Sequence, residues 1–140
     1  MTTFDPAKSL QEIEGSDWGE PTFDSYPVTA VHHLRRKPLN ELSVEDLRVM
    51  IGQDVGVSFL MDFALKELEK NPLAEGNHYP GDLLAAVLTV KEPFWRDHPE
   101  WLQRAKAVVA QVRQLLPEMA LPEQRGIEEV LQHRCAVTED

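Results

Sequence analysis

Apolar side chains recur at intervals of three and four residues along most of the chain, and glycine, proline and short polar runs interrupt them. The pattern centres on the stretch from Leu34 to Leu88, LRRKPLNELSVEDLRVMIGQDVGVSFLMDFALKELEKNPLAEGNHYPGDLLAAVL, which holds three consecutive helix signals. Ser43 precedes the first, with Asp46 three residues on as a short version of the capping box. Leu47, Met50 and Ile51 form its apolar stripe, and Gly52 is expected to end it in a left-handed turn. Phe59, Leu60, Phe63, Ala64 and Leu68 repeat the spacing on a longer helix that Pro72 stops. The polar loop AEGNHYPG then leads to Leu83, Leu84, Val87 and Leu88, a third apolar face. Helices this short are marginal alone in water, so the three are expected to pack on one another.

Upstream, SLQEIE reads as one capped helical turn, with Ser9 as cap and Gly15 as terminator. The stretch SDWGEPTFDSYP mixes turn formers with Trp18, Phe23 and Tyr26, and its prolines favour irregular structure. Some of these three aromatics are expected to clamp this arm onto the helical body. A helix opens near Pro27, carries Val28, Val31 and Leu34, and stops at Lys37-Pro38. Arg35, Arg36 and Lys37 then form a basic cluster suited to pairing with nearby carboxylates or with that helix's C-terminus.

Downstream, KEPFWRDHPEW reads as a short helical turn or a bent connector, with Asp97 or His98 able to cap a long helix from Pro99. Trp101, Leu102, Ala105, Val108, Val109, Val112, Leu115 and Leu116 make that helix the strongest amphipathic signal in the chain. Pro117 and Pro122 bracket a break before a final helix with Ile127, Val130 and Leu131 inward. No segment alternates with period two for more than a few residues. The expectation is an all-α, compact single-domain bundle of about five to six helices. An irregular acidic arm over residues 1–27 precedes a core at 28–96 and C-terminal helices at 97–136.

The 140 residues are 42% hydrophobic and 27% charged, which suits one globular core. No apolar run reaches the length of a membrane span, and MTTFDPAKSL lacks the basic-then-apolar form of a signal peptide, so a cytoplasmic protein is expected. Cys135, the single cysteine, excludes an internal disulfide. The net charge of −10 argues against direct nucleic-acid binding and favours a basic partner or simple solubility. Half of that charge falls in residues 1–34, where Asp5, Glu12, Glu14, Asp17, Glu20 and Asp24 face only Lys8.

Catalytic and metal signatures are weak. The sequence has no HExxH, phosphate loop, GxSxG or GxGxxG. Glu75 and His78 stand at i, i+3, but Gly76 and Pro80 make a metal-binding helix there implausible. Glu75 and Asp82 flank Tyr79 as a conceivable acid/base pair or carboxylate-lined pocket; the simpler reading lets Asp82 start the helix DLLAAVL and leaves Glu75 in solvent. No cofactor, metal or catalytic residue is assigned.

The run LRRKPLNELSVEDLRVMIGQDVG, followed by ALKELEKNPLAEGNHYPGDLLAAVL, strongly resembles the immunity proteins of contact-dependent growth inhibition systems. SLQEIEGSDWGEP looks like the same family's opening segment, so the likeness covers roughly residues 9–95. It rests on RRKPL, VEDLR, IGQ, the PLAEG turn and YPGDLL in that order, with Asn77-His78 standing where an acidic residue is expected. The resemblance implies a cytoplasmic protein without its own reaction, which protects sibling cells by binding a delivered toxin domain one to one. Many such toxins are nucleases, whose basic clefts an acidic partner suits. Candidate contacts are Asp17, Trp18, Glu20 and Asp24 in the arm, and Glu75, His78, Tyr79 and Asp82 in the loop; aromatic anchors among charges resemble interface hot spots. The alternatives are a small-molecule binder or enzyme built on Glu75, Tyr79 and Asp82, and a self-associating helical protein.

Overall fold

Two helices open by the same local device. Ser9 and Ser43 each accept a hydrogen bond from the backbone N–H three residues on, while the side chains of Glu12 and Asp46 reach back to the serine N–H groups. The capping box expected at Ser43 is therefore formed, and the cap expected at Ser9 proves to be a full capping box as well. The computed structural model describes residues 6–15, 26–132 and 137. Asp17, Trp18, Glu20, Phe23, Asp24 and Cys135 lie outside the described residues.

Among the described residues the chain is all-α. Its helices are α1 (Leu10–Glu14), α2 (Tyr26–Leu34), α3 (Val44–Gly52), α4 (Val57–Lys70), α5 (Asp82–Leu88), α6 (Glu92–Asp97), α7 (Pro99–Leu115) and α8 (Leu121–Leu131). Single 3₁₀ turns lie at Leu39–Glu41 and Leu116–Glu118. The helices beyond the expected five to six are the one-turn segments α1 and α6.

As the pattern required, α3, α4 and α5 pack on one another, α2 packs on α3 and α7 on α4. Leu47, Met50 and Ile51 meet Leu60, Met61, Ala64, Leu65, Leu68, Leu83, Leu84, Val87 and Leu88 in one buried cluster. Each such leucine contributes roughly 1.5–3 kcal/mol by leaving water. Phe59 and Phe63, expected on the inner face of α4, only flank this core; Met61 and Leu65 take the central places.

One terminator differs from expectation. Gly52 stays helical, and Asp54 adopts the left-handed conformation at φ 59°. The Val55 N–H donates to the Met50 carbonyl and the Asp54 N–H to that of Ile51, both at 3.0 Å. These paired bonds satisfy the last carbonyls of α3 two residues later than the glycine suggested, using an Asp that tolerates this backbone region.

The N-terminal segment is stitched to the chain after α2. Gln11 N–H donates to Arg35 O at 2.9 Å, and Leu39 N–H to Lys8 O at 3.0 Å. The basic cluster pairs as anticipated: buried Arg35 with Glu14, and Lys37 with Asp46 at 2.8 Å. Leu10 is fully buried against Gly56, whose φ of 64° suits glycine and where an added β-carbon would sit 2.4 Å from Leu10 Cδ1.

At the α6–α7 corner, buried Trp95 donates its indole N–H to the Val90 carbonyl at 3.1 Å. His98 occupies the cap of α7 but makes no side-chain capping bond; its ring stacks on Trp101 at 4.6 Å and lies 4.5 Å from Phe94. Ala105, Val108, Val109 and Val112 bury the face of α7, whereas Leu115 is exposed. Arg104 ties α7 to α4, donating to Asp62 at 2.7 Å and to both oxygens of Glu69. Partial burial pushes the Asp62 carboxyl up, but hydrogen bonds and positive charge from Arg104 and Lys66 outweigh it and hold it below the usual range. The Arg104 hydrogen bond holds Glu69 low as well.

Two outcomes follow. Gly56→Ala should lower unfolding free energy by about 1–3 kcal/mol in urea titration, from left-handed strain plus the displaced Leu10. Because Asp62 and Glu69 are depressed below their ordinary values of 3.8 and 4.5, the stability they contribute is present above those values and lost as pH falls through the folded ones. Arg104→Met should therefore cost about 0.5–1 kcal/mol at neutral pH and flatten the acid limb of a Tm-against-pH curve.

Candidate functional site

The loop between α4 and α5 is built by short-range turn chemistry and then locked from below. Pro72 follows the end of α4, and the Asn71 side-chain oxygen accepts from the Leu73 N–H at 3.1 Å, an Asx turn. Ala74 is buried, after which Glu75, Asn77, His78, Tyr79 and Pro80 all stand exposed. Glu75 and Pro80 face each other across an isolated antiparallel bridge, and Gly81 N–H returns to Leu73 O at 3.1 Å. The loop thus closes on itself like a small hairpin.

Asp82, the first residue of α5, is only 3% exposed and lies beneath this hairpin. Its Oδ1 accepts from the Gly76 N–H at 2.7 Å and its Oδ2 from the His78 N–H at 3.1 Å. A buried carboxylate is costly unless hydrogen-bonded; here two donors of an otherwise irregular loop compensate it. The third clamp comes from α3: Glu45 Oε1 accepts from the Asn77 N–H at 3.0 Å. Arg48 grips Glu45 with two bonds of 2.6 Å and stands 3.8 Å from Asp82 Oδ2, balancing both acids. At Gly76 the loop passes so close to α3 that a β-carbon would lie 2.5 Å from Glu45 Oε1 and 3.2 Å from Glu45 Cα.

This geometry sorts the loop candidates. Glu75, His78 and Tyr79 are each exposed, with Tyr79 44% accessible. Asp82 is corrected from a surface contact to an internal support, because both of its oxygens are engaged by the loop backbone. Glu75 and Asp82 accordingly do not line a common pocket. Beside Tyr79 runs an open groove of about 370 Å³, lined by Tyr79 together with Gly126, Glu129 and Val130 of α8. Among the described residues no group of three His, Cys, Asp or Glu side chains is placed to hold a metal ion.

The reading of the sequence missed Glu45 and Arg48, which look like an ordinary i, i+3 ion pair and give no local sign of reaching residues 76–82. It also missed the contribution of α8, since nothing in PEQRGIEEVL points to a loop some fifty residues earlier.

The sequence model describing CDI immunity proteins matches residues 12–105, well over half of the chain. The chain belongs to the CDI immunity proteins. The match begins inside α1 and extends into α7, ten residues past the end of the resemblance seen in the motifs. No curated protein and no solved structure matches this immunity protein. Its family is one whose members bind a toxin. The hairpin loop, α3 and α5 lie within the matched region; α8 lies outside it. No helix among the described residues is long and apolar enough to cross a membrane.

Removing the internal support should loosen the loop without dismantling the bundle. Asp82→Ala is expected to lower stability by about 1.5–3 kcal/mol, with Asp82→Asn retaining part of it. Faster amide exchange at Gly76 and His78 than in the helices checks that the loss is local.

Proposed function

We propose that this CDI immunity protein works in the cytoplasm as a one-to-one inhibitor of its cognate toxin domain, the C-terminal part of a large secreted effector. The toxin surface it covers is basic, as in a nuclease that handles phosphate backbones. Glu75, His78 and Tyr79 on the exposed loop, with Asp17, Trp18, Glu20 and Asp24 of the arm, are the contacts. Asp82 acts through the loop it supports.

The observation that carries this reading is the net charge of −10 on a member of an immunity family. Opposite charge steers two proteins together, raising the association rate, and a fitted acidic face then excludes substrate from the basic cleft. The loop supports the same reading because it is held in shape before binding. A preorganised loop pays little ordering entropy on association. Inhibition of this kind requires no bond to be made or broken by the immunity protein itself.

Cells expressing the toxin domain encoded immediately upstream should survive when this chain is coexpressed, and the two should copurify at equal stoichiometry. In stopped-flow mixing, the association rate should fall roughly tenfold or more between low and high salt, as expected for screened attraction between unlike charges. Rescue without binding, or a rate indifferent to salt, would reject the charge-steered mechanism.

A further inference from the structure

We propose that the groove between Tyr79 and α8 receives an arginine side chain of the toxin domain, held between the Tyr79 ring and the Glu129 carboxylate. The proposal rests on the immunity reading above and adds the chemistry of the contact and the part of the chain that makes it.

Four features meet there. Tyr79 exposes an aromatic ring on a loop whose backbone is fixed by Asp82 and Glu45. Gly126, Glu129 and Val130 stand at i, i+3 and i+4 and so share one face of α8, opposite that ring. At Gly126 a β-carbon would meet nothing within 4 Å, so a planar group can lie flat against the bare helix backbone. The Glu129 carboxylate forms no hydrogen bond or ion pair among the described residues, whereas neighbouring Glu128 accepts from Gln124 Nε2 at 3.1 Å. Next to the groove α8 is seated against the loop: Ile127 lies so close to Gly81 that a β-carbon there would sit 2.8 Å from Ile127 Cδ1.

Charge complementarity selects the occupant. A ring face and a carboxylate without a partner among the described residues, set across an open groove, favour a cation, and guanidinium, flat and forked, can stack on the ring while bonding the acid. A toxin surface that attracts a protein of charge −10 is the source of such a group. Tyr79 falls within the region matched by the family while α8 falls outside it. The groove therefore joins a loop inside the matched region to a helix outside it.

The test uses the full-length chain and the toxin domain encoded upstream, in calorimetric titration. Gly126→Leu fills the groove and, by replacing a mid-helix glycine, should not destabilise α8; circular dichroism confirms the fold. The expected result is binding weakened roughly 30-fold or more by Gly126→Leu and by Tyr79→Ala, as for an interface hot spot. Glu129→Gln should also weaken it, and in double-mutant cycles its effect should vanish against one particular toxin arginine changed to alanine. If the wild-type chain binds but all three variants bind equally well, the groove proposal is overturned and the immunity reading stands. If the wild-type chain itself does not bind, the immunity reading fails and the groove proposal with it.

Discussion

A buried carboxylate must find donors, and in this protein the donors for Asp82 are backbone N–H groups of a surface loop. That requirement couples the core to the exterior. Asp82 starts α5, whose apolar face is locked between α3 and α4, so its position is set by the bundle. The loop takes its shape from Asp82 in turn, with Gly76 and His78 bound to the two oxygens and Asn77 to Glu45. Five exposed residues are thereby presented on a fixed backbone, although the loop contains no regular secondary structure beyond a single bridge.

The motif fragments that carry the family resemblance turn out to be tied to one another. Arg35 of RRKPL pairs with Glu14 of the opening segment, and Lys37 with Asp46 of VEDLR. Arg48, also in VEDLR, stands against Asp82 of YPGDLL, while Glu45 beside it accepts from Asn77 just after the PLAEG turn. The Glu45–Arg48–Asp82 group lies at the α3–α5 contact, and the other two pairs tie the segment after α2 to α3 and to the N-terminal segment. The remaining acids, largely at the surface, are available to shape the field that a basic partner meets.

Much of the fold was legible because it depends on local rules. Capping serines at positions 9 and 43, the proline after α4 and the three-four spacing of leucines act over a single helical turn, and each appears where its residues place it. Failures came where the outcome depended on contacts distant in sequence. Gly52 did not terminate α3, since a Schellman pair centred on Asp54 satisfied the same carbonyls. His98 offered a cap but found better partners in Phe94 and Trp101. Asp82 looked like a surface acid because sequence shows neither the depth of its site nor the amides above it. The groove on α8 was hidden for the same reason: nothing near Gly126 in the sequence shows that Tyr79 stands across from it.

The central claim is that this immunity protein binds through the exposed hairpin between α4 and α5. Hydrogen–deuterium exchange of the chain, alone and with its toxin domain, tests it most directly. The account predicts added protection concentrated in residues 75–82 and in α8. Protection confined to the Arg104 side of α4 and α7, with the loop exchanging as before, would contradict it.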